Sequence, residues 1–350
     1  MVSVLSPAVV PRRPVSSPTP LGTPRARLHR APSAHRGFMF GHVSRRAVRR
    51  LPIVLVCLLS VAWMRAARGE PWPAPSRPIA PKGRLFIVGG GEQPKELVQA
   101  FVDLAGGSHA RIAVVPTATE QSAEAGKEKA DELRDLGAQA FVVDVSRAQA
   151  QSDSVVKLIG TATGIWFGGG DQVKLADSLV GTAALRAMVE RYRAGAVVGG
   201  TSAGAAVLSD SMITGNQKRP EADSVGYYGD EFPNIARGAI QISPGFGFIT
   251  YAIVDMHFIR RERANRLLEA VLERPSLLGL GIDEGTAVRV DPDGTWTVLG
   301  RSAAIVIDAR DARVTGRSAP RLGASGIHLS LLPAGSTYDP RTGRATLPTP

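Results

Sequence analysis

Val197-Val198-Gly199-Gly200-Thr201-Ser202-Ala203-Gly204-Ala205-Ala206-Val207-Leu208-Ser209-Asp210 is entered through β-branched residues and left through small, helix-forming ones. Its middle, Gly200-Thr201-Ser202-Ala203-Gly204, is a G-x-S-x-G pentapeptide, and this pattern predicts a strand, a sharp turn and a helix. A serine at such a turn sits in a strained backbone conformation. A Cβ on either flank would collide as the strand reverses into the helix, which is why both flanks are glycine. The turn lifts Ser202 clear of the sheet, with the first N–H groups of the next helix directed at the space where an oxyanion would form. Alone, a glycine-rich turn can hold a serine that has no chemical role, so the neighbouring stretches decide.

Upstream, the strand Gly164-Ile165-Trp166-Phe167 runs straight into Gly168-Gly169-Gly170-Asp171-Gln172. Three glycines at a strand end leave backbone N–H groups open to a ligand, and a helix over 173–193 is predicted to start there. Consecutive strand-helix units commonly lie side by side, so this turn and the Ser202 turn are expected to open on one edge. Further upstream, strands at 85–88, 112–115 and 140–145 alternate with helices at 94–104, 123–136 and 152–159. Near-continuous apolar strands separated by helices imply a parallel sheet covered on both faces. Gly89-Gly90-Gly91, after the first strand, lacks the spaced glycines of a dinucleotide fingerprint, and no cofactor or metal cluster is expected.

Downstream, 211–246 is irregular and carries Glu221, Asp223, Asp230 and Glu231. A segment this long without a clear period is uncommon in a compact domain unless it serves function or is mobile. The strand 251–258 then carries His257 near its end, beside Asp255 and Met256, and leads into a basic helix at 259–273. Residues 278–283 and 284–288 read as a strand pair. Strands at 296–299 and 303–307 read as a terminal antiparallel set hinged at Asp291-Pro292-Asp293-Gly294. The residues from about Ala319 are rich in Pro and Gly and carry no predicted element.

Composition narrows the chemistry. The chain of 350 residues has a net charge of +11, but the first 69 residues hold twelve arginines and no acidic residue. The remainder therefore carries a net −1, and a nucleic-acid partner loses its main support. The single cysteine, Cys57, lies in this leader. Thiol chemistry and a cysteine-ligated metal are thus excluded from the folded part. Outside the leader the imidazoles are His109, His257 and His328, and His257 alone sits at a strand end beside an acid.

The leader itself reads as an address. Residues 1–38 are Pro-, Arg- and Ser-rich with no hydrophobic period. Met39 is a second candidate start. Ser44-Arg45-Arg46-Ala47-Val48-Arg49-Arg50 then precedes an apolar run, 51–63, whose thirteen residues rise only about 20 Å as a helix, short of a bilayer's roughly 30 Å. With the small-residue site Ala67-Arg68-Gly69, this predicts a signal peptide of Sec or Tat type and an exported protein, periplasmic or extracellular. An uncleaved N-terminal anchor is the alternative. The expected division is leader and signal 1–69, linker 70–81, one α/β domain 82–310 and a Pro/Gly-rich tail 311–350.

Four ordered stretches, Phe167 through Gln172, the Ser202 turn, Asp255-Met256-His257-Phe258 with the arginines after it, and Gly279 through Ala287, together resemble the cyanophycinases. These are serine peptidases of the S51 type, related to α-aspartyl dipeptidases and to the class I glutamine amidotransferase fold. The resemblance spans about 82–308. It implies an α/β fold, a flavodoxin-like three-layer sandwich with a mostly parallel central sheet, a nucleophile elbow and a small C-terminal antiparallel extension. It implies hydrolysis of cyanophycin, a poly-aspartate with arginine on each side chain, to β-Asp-Arg dipeptides through an acyl-enzyme.

By the same resemblance Ser202 is the nucleophile and His257 the general base. Glu231, in Glu231-Phe232-Pro233-Asn234, is the implied orienting acid, with Asp223, Asp230 and Glu284 as the other acids that could serve. The Ala203 N–H and a glycine N–H at Gly169 or Gly170 would form the oxyanion hole, and Gln172, Asp255, Arg261, Arg263 and Arg266 would hold substrate. Family members commonly have glutamine where Met256 stands, which leaves room for a peptidase of other aspartyl or isoaspartyl peptides. A protein that keeps the fold and crevice but only binds is the alternative of a different class. The expected partner is a peptide or polymer, with no nucleic acid and with membrane contact through the leader only; a homodimer is compatible with the sequence.

Overall fold

The computed structural model describes residues 81–217, 235–316 and 318–349. All of these lie in a compact unit that runs Pro75–Pro350. In chain order its elements begin β1 (Leu85–Val88), α1 (Lys95–Leu104), β2 (Arg111–Val115), α2 (Ser122–Asp135), β3 (Gln139–Val142), α3 (Asp153–Gly160), β4 (Gly164–Phe167), α4 (Gln172–Leu179), α5 (Ala183–Ala194), β5 (Val197–Thr201) and α6 (Ala203–Ala206). Then come β6 (Ser211–Gln217), β7 (Ile240–Pro244), β8 (Ala252–Met256), α7 (Ala264–Glu273), β9 (Leu278–Ile282), β10 (Thr286–Val290), β11 (Trp296–Gly300) and β12 (Ala303–Asp308). The last strands are β13 (Arg313–Val314), β14 (Ala324–Ser325), β15 (His328–Pro333), β16 (Thr337–Asp339) and β17 (Arg344–Thr346).

The expected α/β sandwich forms. A nine-stranded sheet has the order β17-β16-β11-β10-β1-β5-β4-β2-β3. Its centre and one wing, β1, β5, β4, β2 and β3, are parallel neighbours, and β10, β11, β16 and β17 extend it antiparallel. Alternate residues of each strand go to opposite faces. Phe86, Val88, Ile112, Val114 and Trp166 pack with Leu97, Val98, Phe101 and Val102 of α1 and with Leu133 of α2. Leu85, Ile87, Val115, Ile165 and Phe167 pack on the other face with Leu175, Leu179 and Met188 of α4 and α5. A second sheet of four strands, β15-β12-β9-β8, has α7 packed on it through Leu267, Ala270 and Val271.

Several expectations are corrected. The single helix over 173–193 is two helices, because Gly181 turns with φ +78° and the Thr182 hydroxyl caps α5 by accepting from Leu185 N at 3.3 Å. The helix expected from 259 begins at Ala264. His257 and Glu262 have φ of 50° and 51°, left-handed values that no α-helix contains. Strands β9 and β10 are not partners: the chain crosses between the sheets at Asp283-Glu284-Gly285, so β9 pairs with β8 and β12 while β10 pairs with β1 and β11. Strands β11 and β12 likewise belong to different sheets, and the Asp291–Gly294 turn joins β10 to β11. The tail beyond 319 is structured as well: β15 pairs with β12 and β16 with β11, burying Leu332 and Tyr338.

Candidate active site

Strands β4 and β5 are parallel neighbours, so the turns after them open on the same edge, as the sequence suggested. At the β5 turn Ser202 has φ 53° and ψ −115°, in the region an L-residue occupies only under constraint. The flanking glycines are sterically required. A Cβ on Gly200 would lie 2.2 Å from the Gly204 carbonyl oxygen, and one on Gly204 would lie 2.2 Å from that of Phe167. Ser202 N–H donates to Val88 O at 3.1 Å, which ties the elbow to the end of β1.

His257 follows the last residue of β8, in the smaller sheet, and is largely buried. Its N–H donates to Gly89 O at 2.6 Å. The side-chain Nε2 lies 2.8 Å from Ser202 Oγ, and Nδ1 lies 2.6 Å from Glu284 Oε1. A carboxylate only accepts, so Nδ1 carries the hydrogen and Nε2 is left to accept from the serine hydroxyl. Glu284 sits in the crossing between β9 and β10, and this sets its carboxylate against the imidazole. Glu231, Asp223 and Asp230 lie outside the described residues. Among the described residues the acid on His257 Nδ1 is Glu284, one of the acids expected beside Glu231.

Burial is the largest influence on the imidazole and pushes its pKa below the ordinary histidine value. The Glu284 hydrogen bond opposes this, and the Arg261 and Arg263 charges add to the lowering. The net effect is a neutral ring near pH 7, the form able to take a proton.

The expected oxyanion residues flank the serine. Ala203 is the first residue of α6. Gly169 stands against Ser202, with its Cβ position 3.4 Å from the Ser202 Cβ, whereas Gly170 packs against Ala118. The expected substrate-holding residues divide differently. Asp255 is 0% exposed and accepts from Arg266 Nε at 2.7 Å, from a second Arg266 nitrogen and from Met256 N. Arg263, 6% exposed, lies 3.9 Å from the same carboxylate and donates to Met256 O and Met256 Sδ. Asp255, Arg263 and Arg266 thus form a buried ionic cluster at the end of β8. Gln172 is also buried and donates to Ile213 O at 2.8 Å, linking α4 to β6. Arg261 is exposed and follows the histidine closely, its N–H donating to His257 O.

Two contributions were not read from the sequence. Gly90 and Gly91 make room for the imidazole and its acid: a Cβ on Gly90 would be 2.3 Å from His257 Cε1, and one on Gly91 would be 2.7 Å from Glu284 Oε2. The signal was present, since a second glycine triplet at a strand end repeats the pattern of Gly168-Gly169-Gly170. Asp283 holds the turn after His257 by accepting from the N–H groups of Ile259 and Arg260 at 3.1 and 2.9 Å. Among the described residues no group of three or more His, Cys, Asp or Glu side chains comes together as a metal site.

Residues 85–298 match peptidase family S51. The chain belongs to that family. As an S51 peptidase it is a hydrolase of the serine type. It is 33% identical over 273 residues to the cyanophycinase of Synechococcus elongatus, covering 75% of this chain and 80% of that one. It is 32% identical over 271 residues to the cyanophycinase of Geminocystis herdmanii, covering 75% of this chain and 95% of that one. A solved peptidase from an acI-B1 Actinobacterium shares the fold at a TM-score of 0.51 and 24% identity, over 66% of this chain and 92% of that one.

Proposed function

We propose that this S51 peptidase hydrolyses cyanophycin to β-Asp-Arg dipeptides through an acyl-enzyme, with Ser202 as nucleophile, His257 as general base and Glu284 as the acid that orients it. The observation that carries the reading is the line from Ser202 Oγ to His257 Nε2 at 2.8 Å and from His257 Nδ1 to Glu284 at 2.6 Å. Similarity to cyanophycinases over three quarters of the chain supports the substrate. His257 takes the Ser202 proton as Oγ attacks the carbonyl carbon. The Ala203 N–H, with that of Gly169 or Gly170, holds the oxyanion. His257 then gives its proton to the leaving amine, and water, deprotonated by the same imidazole, releases the acyl group.

The test is to incubate the protein and its Ser202→Ala variant with insoluble cyanophycin, with β-Asp-Arg and with α-aspartyl peptides, following products by mass spectrometry. β-Asp-Arg released from cyanophycin by the parent alone is the expected result. Cleavage of other aspartyl peptides with cyanophycin left intact would replace the substrate.

The leader supports an extracytoplasmic site of action, where the enzyme would degrade polymer from outside the cell that makes it. N-terminal sequencing of the mature protein from its host is expected to begin near Glu70. An intact N-terminus on cytosolic protein would refute export.

A further inference from the structure

On the β4 side of Ser202 the crevice wall opens into a pocket of about 250 Å³. Gly169 and Thr201, which border it, lead directly to the nucleophile. Pro116, Ala125 and Trp166 give it apolar walls, and Glu128, Lys129 and Glu132, all on α2, give it a polar rim. The lysine is fully engaged. Its Nζ pairs with Glu132 Oε2 at 2.5 Å, donates to Gln93 Oε1 at 3.0 Å and lies 5.0 Å from the centre of the Trp166 ring. Gln93 in turn donates to Thr201 Oγ1 at 3.2 Å, which couples the rim to the residue before the nucleophile. Glu128 has no ion-pair partner among the described residues, so the rim carries a net negative charge. Trp166 is 1% exposed, and its indole N–H has no acceptor among the described residues.

The position of the pocket says which part of a substrate it meets. Strand β5 runs between β1 and β4, and the His257 ring rests on Gly90 at the end of β1. The leaving amine takes its proton from that ring and so departs on the β1 side. The acyl portion is left on the β4 side, where the pocket is. A side chain with an apolar stem and a cationic, planar head fits apolar walls beneath an acidic rim.

We propose that this pocket is the subsite for the guanidinium side chain of the unit that contributes the attacked carbonyl, with Glu128 as its counter-charge. The assignment rests on the cyanophycin reading and adds to it the residue that reads the acyl-side arginine.

The test uses the full chain carrying Ser202→Ala and a two-unit multi-arginyl aspartate peptide, which has a single backbone peptide bond. Citrulline keeps the shape of arginine without its charge and is placed in the first or the second unit; binding is measured by calorimetry. Citrulline in the first unit is expected to weaken binding about tenfold, the effect of one charge-assisted hydrogen-bonded pair. Adding Glu128→Gln is expected to erase that difference and to leave the second-unit difference as it was. Glu128 is exposed, so the variant folds. If the arginine peptide binds and the parent cleaves it, yet first-unit citrulline binds equally well or Glu128→Gln changes nothing, the pocket assignment alone is overturned. Tighter binding of first-unit citrulline would make Lys129 the dominant charge and would also overturn it. If neither peptide binds and the parent cleaves neither, the substrate reading fails and the subsite with it.

Discussion

At His257 opposing influences set the working pH. Burial and the neighbouring guanidinium charges hold the imidazole pKa below the ordinary value, and Glu284 pulls it up. The neutral ring is the active base, so activity is lost as pH falls through the folded-state pKa. The acid limb of kcat/KM is therefore expected below about pH 6.5, the unperturbed histidine value. Arg261→Gln removes one lowering charge and should move that limb upward; an unmoved limb would mean that solvent screens this exposed arginine. Glu284→Gln keeps the shape but no longer stabilises the imidazolium or the correct tautomer, and kcat should fall by on the order of 10⁴. A loss below tenfold would point to another acid. Ser202 was legible from its G-x-S-x-G turn, and His257 because only three histidines lie outside the leader. Glu284 was legible only as one of four candidates, since what selects it is a crossing between sheets, and that crossing leaves no local period in the sequence.

At the level of elements, the ends of β1, β4 and β5 act together. The two turns anticipated from the sequence, after β4 and β5, are joined by a third after β1 that the sequence reading left without a role. Gly90 has φ +98°, and its missing side chain is the space His257 fills. Gly90→Ala is expected to displace the imidazole by about an ångström and to lower kcat roughly 10²-fold. A pH profile and a melting curve measured together would separate this from general unfolding. Strand and helix types were readable from their periodicity, while partners were not. Strands β9 and β10 are separated by three residues yet join different sheets, and no hairpin signal such as Asn-Gly at Asp283-Glu284-Gly285 asks them to pair. The break between α4 and α5 follows from a Gly-Thr pair, a C-terminal glycine beside a capping hydroxyl, that the helical period on either side concealed.

Across the whole molecule, the last forty residues complete both sheets. Their Pro and Gly content concealed this, because the glycines serve turns between short strands. A chain ending at Arg310 loses one of the two partners of β12 and exposes the surfaces that cover Leu332 and Tyr338. Each such buried side chain accounts for roughly 2–5 kcal/mol, against a total stability of about 5–15 kcal/mol. The truncated protein should therefore melt far lower or fail to fold, and an unchanged thermal transition would show the extension to be dispensable. The placement of the reacting groups carries a consequence in time. Ser202 follows a strand of the larger sheet and His257 a strand of the smaller one, with Glu284 in the crossing between them, so neither sheet can act alone. Turnover is then a clock for their docking. On dilution from denaturant the far-ultraviolet circular dichroism should recover first and peptide cleavage should follow in a slower phase; simultaneous recovery would mean that the sheets dock as they form.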